Sequence, residues 1–218
     1  MRALAIAVAL AVLAAHGQSP QAAPTLQVDF SNPGLAPPQW TLTLHPDGSG
    51  HFSSRMGVRS PDAAKNLLPP AIDRDIHVSA PYAARVFQAA RHQAWFNQDC
   101  ESHLKVAFQG WKTLTYDGPQ GHGSCTFNYS RDKEIQALGD SFEAVAETIV
   151  EGARLQMLLE HDPLGLDAEM EFLVGAANDG RAQQIVTIRG ILERLAQDEN
   201  VLERVRKRAS LLLAHEPT

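Results

Sequence analysis

Hydrophobic and polar positions change their period along this chain, and each change predicts a different element. A small and aliphatic run over residues 3–15 follows Arg2 and gives way to polar, proline-rich sequence. The run falls short of the roughly twenty residues that cross a bilayer as a helix, and Ala15-His16-Gly17 offers the small residues a signal peptidase reads. A secretory signal peptide over residues 1–17 is expected. No Cys follows the run as a lipid attachment site. Residues 18–38 then read as a proline-rich leader with an edge strand at 26–30, where Val28 and Phe30 point one way and Gln27 and Asp29 the other.

Period two dominates the next stretch. Trp40, Leu42 and Leu44 alternate with Thr41 and Thr43, Pro46-Asp47-Gly48-Ser49-Gly50 turns the chain, and residues 51–54 return as a hairpin. Pro61, Pro69 and Pro70 break residues 57–75, leaving one helical turn expected at 62–67 and a strand at 76–79. Ser79 is placed to cap a helix entered through Ala80 and Pro81, with Tyr82, Val86 and Gln93 at helical spacing and Phe87, Trp95 and Phe96 adding bulk. Alternation returns in Leu104, Val106 and Phe108, resumes after Gly110 in Leu114 and Tyr116, and again in Cys125, Phe127 and Tyr129. Three such segments predict an antiparallel meander.

Helical period takes over beyond Asp132. Asp140 with Glu143 reads as a capping box opening a helix to about residue 160, with Phe142, Val145, Ile149, Ala153 and Met157 as its apolar stripe, ended by Asp162-Pro163-Leu164-Gly165. Further helices are expected over about 168–177 and 181–197. A last one, boxed by Asn200 and Glu203, carries the stripe Val201, Val205, Ala209 and Leu212. The fold class is therefore α+β: an N-terminal antiparallel β-sheet with one packed helix, over 39–131, and a C-terminal helical bundle of three to four antiparallel helices, over 132–218.

Charge narrows the partners. The formal net charge is −6, and between Asp140 and Glu171 nine carboxylates face one cation, Arg154. That field repels phosphate backbones and anionic bilayers, so nucleic acid and membrane are poor partners. The two cysteines, Cys100 and Cys125, read as a disulfide in an exported chain, worth about 3 to 4 kcal/mol by loop-closure entropy. A metal or redox role lacks Cys-x-x-Cys spacing and a third thiol.

The candidate chemistry is sparse. His45 and His51 flank the hairpin turn with Asp47 between them, a two-nitrogen, one-oxygen set for a metal to which His122 is a possible fourth ligand; an exposed polar turn is the plainer reading. Cys100 with His103 or His122 forms a nucleophile pair only if the thiol is free. Gly121-His122-Gly123-Ser124-Cys125 is not the Gly-x-Ser-x-Gly elbow of hydrolases, and residues 118–123 lack the Lys of a phosphate loop. Glu143, Glu147 and Glu151 repeat at four-residue spacing; a solvated row is the ordinary reading and a face for a basic partner or divalent ions the functional one. His161 suits a helix C-terminus, and Asn128-Tyr129-Ser130 matches a glycosylation sequon.

Residues 106–119 (VAFQGWKTLTYDGP), 124–130 (SCTFNYS) and 161–169 (HDPLGLDAE), with Gly180-Arg181-Ala182, resemble a group of uncharacterised secreted bacterial proteins of the kind common in acidobacteria. The resemblance covers residues from about 76 onward and implies bacterial origin and export. It brings no activity, ligand or site residue. From the residues themselves, the expected function is that of an exported, noncatalytic protein-binding or envelope-associated module without a cofactor, periplasmic or secreted, whose partner is another protein. The alternative is a metal-dependent hydrolase built on His45, Asp47 and His51.

Overall fold

The computed structural model describes residues 23–56 and 70–214; the expected signal peptide and the helical turn at 62–67 lie outside the described residues. Six strands make one antiparallel sheet: β1 (Thr25–Ser31), β2 (Gln39–Leu44), β3 (Ser49–Ser54), β4 (Ile72–His77), β5 (Trp111–Gly118) and β6 (Gly121–Phe127), in the order β4-β3-β2-β1-β5-β6. The β2–β3 hairpin forms as its alternation predicts, with Leu42 opposite Phe52.

The edge position expected for β1 is wrong. It lies inside the sheet, pairing Val28 with Leu42 of β2 and with Leu114 of β5. Pro24, Pro33, Pro37 and Pro38 all fall outside Thr25–Ser31, so the strand keeps every N–H that two ladders require. Its Leu26, Val28 and Phe30 join Leu42, Leu44, Phe52, Leu114 and Phe127 on the buried face. Full burial of such side chains contributes roughly 1.5 to 3 kcal/mol each. The opposite face stays polar, with hydroxyl pairs Thr113–Thr126 and Thr115–Ser124, both at 2.9 Å, bridging β5 and β6.

Two helices cover the apolar face. α1 (Ala80–His92) starts where Ser79 Oγ accepts from the Tyr82 N–H, the cap its sequence calls for. α2 runs over Lys133–His161, beginning a full two turns before the expected Asp140. Asp132 is the actual cap, accepting from the N–H groups of Glu134 and Ile135. Ile135 and Leu138 are buried and extend the apolar stripe toward the N-terminus, so Asp140 falls within the helix. At 29 residues α2 is about 43 Å long. Its first half, through Val150, packs under the sheet; Leu155 and Leu158 belong to a second core.

That second core is helical. α3 (Leu166–Asn178), α4 (Arg189–Gln197) and α5 (Glu203–Ala214) bury Met170, Leu173, Leu192, Leu195, Val205 and Ala209 against the end of α2. The helix expected over 181–197 starts only at Arg189, after a 3₁₀ turn at Ile185–Ile188. Residues 183 and 184 are committed elsewhere. Gln183 N–H donates to Ala144 O, Thr148 Oγ1 donates to Gln183 O, and the Ser79 N–H donates to Gln184 Oε1, with Gln184 at φ +55°. The last helix is not boxed by Asn200, whose N–H and side-chain amide both turn back to Asp198 Oδ1.

The meander also loses one member. Residues 101–110 form no strand, although Leu104, Val106 and Phe108 alternate. β6, the edge such a strand would need, is flanked by the 3₁₀ turn Ala94–Phe96: a side chain at Gly121 or Gly123 would collide with Trp95. The segment passes outside the sheet and re-enters at β5 through Gly110, at φ +121°, where an added Cβ would lie 2.5 Å from the Phe30 ring.

Candidate functional site

The structure separates the residues of the hairpin metal hypothesis. Thr43, not His45, stands opposite His51. The His51 ring is held between two β4 carboxylates, with Nδ1 2.9 Å from Asp75 and Nε2 3.3 Å from Asp73. The hydrogen bond that His51 donates to the Asp75 carboxylate, outweighing burial, pushes the imidazole pKa up. Asp47 instead accepts from the Ser49 hydroxyl and N–H at 2.6 and 2.9 Å, which lowers its pKa and closes the turn. His122 projects from β6, four strand spacings or about 19 Å away across the sheet. Among the described residues no group of three or more His, Cys, Asp or Glu is arranged to hold a metal ion.

The disulfide forms as expected, joining Cys100 to Cys125 of β6 with Cα atoms 5.7 Å apart. Both thiols are thereby consumed, and His103 turns to Asp99, with Nε2 2.8 Å from its carboxylate.

Glu143, Glu147 and Glu151 do not form a solvated row. Glu143 accepts from Lys112 Nζ at 2.8 Å, the ammonium coming from β5 with only 1% of its side chain exposed. Glu151 is also 1% exposed and accepts from Arg154 Nη1 at 2.6 Å; the same nitrogen reaches Glu169 of α3 at 3.0 Å. The face turns inward with Lys112 and Arg154 as its cationic partners, although for Glu151 and Glu147 burial still outweighs Arg154. Burial first, then the neighbouring Glu169 carboxyl, pushes Glu151 up to about 9. Glu147, partly buried between them, is raised by burial.

A different surface stands out at the end of the sheet where β1 stops and β5 starts. Leu35, Met56, Leu104, Val106, Phe108 and Trp111 are between 39% and 61% exposed. They lie along one end of the sheet, where Trp111 stands beside Ser31 at the end of β1, Leu35 belongs to the β1–β2 connection and Met56 follows β3 further along; the group Leu104, Val106, Phe108 and Trp111 is continuous in the chain. Phe108 and Trp111 meet edge to face with ring centroids 6.0 Å apart. Single exposed apolar side chains are ordinary, whereas a contiguous group marks an interaction site.

The backbone beneath this strip is firmly held. The disulfide fixes its start. Glu101 then accepts from the Asn128 N–H at 2.6 Å and from the Ser102 hydroxyl at 3.1 Å, and the Ser102 N–H donates to Tyr129 O. Asn128, buried beside β6, spends its side chain on the far end: Oδ1 accepts from the Gln109 N–H at 2.7 Å and Nδ2 donates to Ala107 O. Asn32 Nδ2 donates to Gln109 O from the β1–β2 connection. The strip is thus an anchored Ω-like excursion with its apolar side chains outward. Its alternation is visible in sequence and reads there as core; the interleaved His103 and Lys105 are the cue that neither face is buried.

Beside the strip lies a cleft of about 470 Å³, bounded by Leu35, Ala36 and Pro37 on one side and by Asp140, Glu143 and Glu147 of α2 on the other. Phe30 and Trp40, stacked at 5.1 Å, line it from the sheet. Two of the residues expected to form an interaction face, Glu143 and Glu147, therefore line this cleft opposite Leu35, while Glu151 is buried.

No known protein-family model matches the chain, and no curated protein shows significant similarity to it. Among the described residues no helix is long and apolar enough to cross a membrane.

Proposed function

We propose that this chain is an exported, noncatalytic module that binds another protein through the sheet end bearing Leu104, Val106, Phe108 and Trp111. The observation that carries the reading is the exposed apolar strip on an anchored backbone. Aromatic and aliphatic side chains presented on a rigid frame lose little entropy on association, which is how binding hot spots are built. Export is supported by the apolar N-terminal run and the disulfide, which persists in oxidising compartments.

The test compares the natural chain with a Val106→Ser/Phe108→Ser variant in capture from envelope extracts, with thermal melting as the check on folding. Binding should fall at least tenfold for a specific partner, since hot-spot truncations cost about 2 kcal/mol or more. A variant that melts normally and retains the same partners at the same strength would sink the reading.

A further inference from the structure

We propose that the cavity where α1, α3 and α5 meet binds a small amphipathic carboxylate, an aliphatic chain ending in one carboxylate group. None of the apolar strip lines this cavity, so the proposal stands apart from the protein-binding reading.

The cavity holds about 500 Å³, in the usual range for a small-molecule site. Its floor is aliphatic: Pro81 of α1, Val174 and Ala177 of α3, Ile185 of the 3₁₀ turn, and Leu211 and Leu212 of α5. The one ring in its wall, Tyr82, is buried and covered by Arg85, whose guanidinium carbon lies 5.0 Å from the ring centroid. Such a floor takes a hydrocarbon chain by removing it from water and offers no open aromatic face for stacking.

The rim fixes the character of the ligand's polar end. No Asp or Glu lines the cavity, in a chain of net charge −6, and Arg85 is its one charged lining residue. Beyond the ring contact, Arg85 has no hydrogen-bond or ion-pair partner among the described residues. Gln184 is oriented by the Ser79 N–H, which donates to Oε1 at 2.7 Å; the free end of that amide is therefore Nε2, a pair of donors. Ser79 Oγ accepts from the Tyr82 N–H at 3.4 Å and keeps its own proton to give. Asn178 supplies a further amide at the rim.

Acceptors close by are already engaged. At the end of α3 the carbonyls of Gly175, Ala176 and Ala177 take the N–H groups of Asp179, of Arg181 and Ala182, and of Gly180. Asp179 itself pairs with Arg181 at 3.2 Å and lines the cleft on α2 instead. Donors beside one unpaired guanidinium suit a carboxylate, whose two oxygens match the arginine fork, and leave an ammonium without a counter-charge.

The experiment titrates the disulfide-intact protein with octanoate, and separately with 1-octanol and octylammonium, following backbone amides by NMR. Octanoate should give saturable shifts at Gly180, Gln184 and Leu212 and bind about tenfold or more tightly than octylammonium. Arg85→Gln should weaken octanoate about tenfold, the worth of one charge-assisted hydrogen bond, and leave 1-octanol binding unchanged. Ala177→Phe, which fills the floor, should abolish binding of both; should it melt low, Arg85→Gln decides alone. Octanoate shifts that do not saturate or that centre on the apolar strip, equal binding of octylammonium, or octanoate affinity unchanged in Arg85→Gln would overturn the proposal.

Discussion

Glu151 carries the sharpest electrostatic demand in the molecule. It shares one guanidinium with Glu169, and its pKa of about 9 lies far above the ordinary 4.5. The folded state therefore holds a proton there that the unfolded chain releases. The corresponding stability is full below pH 4.5 and is lost as pH rises toward 9. Glu151→Gln mimics the protonated form. We expect the variant to differ by no more than about 1 kcal/mol at neutral pH and to flatten the decline, as urea melts between pH 5 and 9 would show. An unchanged pH slope would mean that Glu151 is ionised in the fold. None of this was legible in the four-residue spacing of Glu143, Glu147 and Glu151. Spacing places three carboxylates on one helix face, and only the packing of Lys112 and α3 decides whether that face meets water.

Among the elements, local signals were readable and non-local pairing was not. The β2–β3 turn, the Ser79 cap and the Pro163 stop depend on residues within one turn of each other, and all three form where the sequence places them. The position of β1 depends on β5, more than eighty residues later, which no local pattern encodes. Residues 104–108 show the same limit from the other side: period two predicts extended chain, not a neighbour for it. What holds that segment is covalent and polar. Replacing Cys100 and Cys125 together by Ala should lower stability by about 3 to 4 kcal/mol. It should also raise hydrogen exchange through residues 101–109, since it frees the end that Glu101 and Asn128 only partly secure. Exchange that stays as slow as in the oxidised protein would assign the anchoring to Asn128 alone.

On the scale of the whole molecule, α2 is the shared member of two cores. Charge and period changed together near Asp132, a reading that puts sheet and helices in separate segments, yet Ile135, Phe142 and Ile149 lie in the sheet core while Leu155 and Leu158 lie in the helical one. Fraying of either core would expose half of a continuous helix, so the two should unfold as one unit. All three tryptophans, Trp40, Trp95 and Trp111, belong to the sheet half, whereas most helix lies beyond it. Tryptophan fluorescence and far-ultraviolet dichroism should then report coincident urea transitions. Two separated midpoints would show that α2 does not couple the cores.

The anchoring role of Asn128 bears on how the protein is made. Its side-chain nitrogen, already donated to Ala107 O, is also the atom a glycosyltransferase would modify at Asn128-Tyr129-Ser130. A eukaryotic secretory host would present the unfolded chain to that enzyme before the bond could form. A sugar there has no room beside β6, where Asn128 is 8% exposed. Chains so modified would lose the far tether of the strip, which makes the choice of expression host a structural variable for this protein.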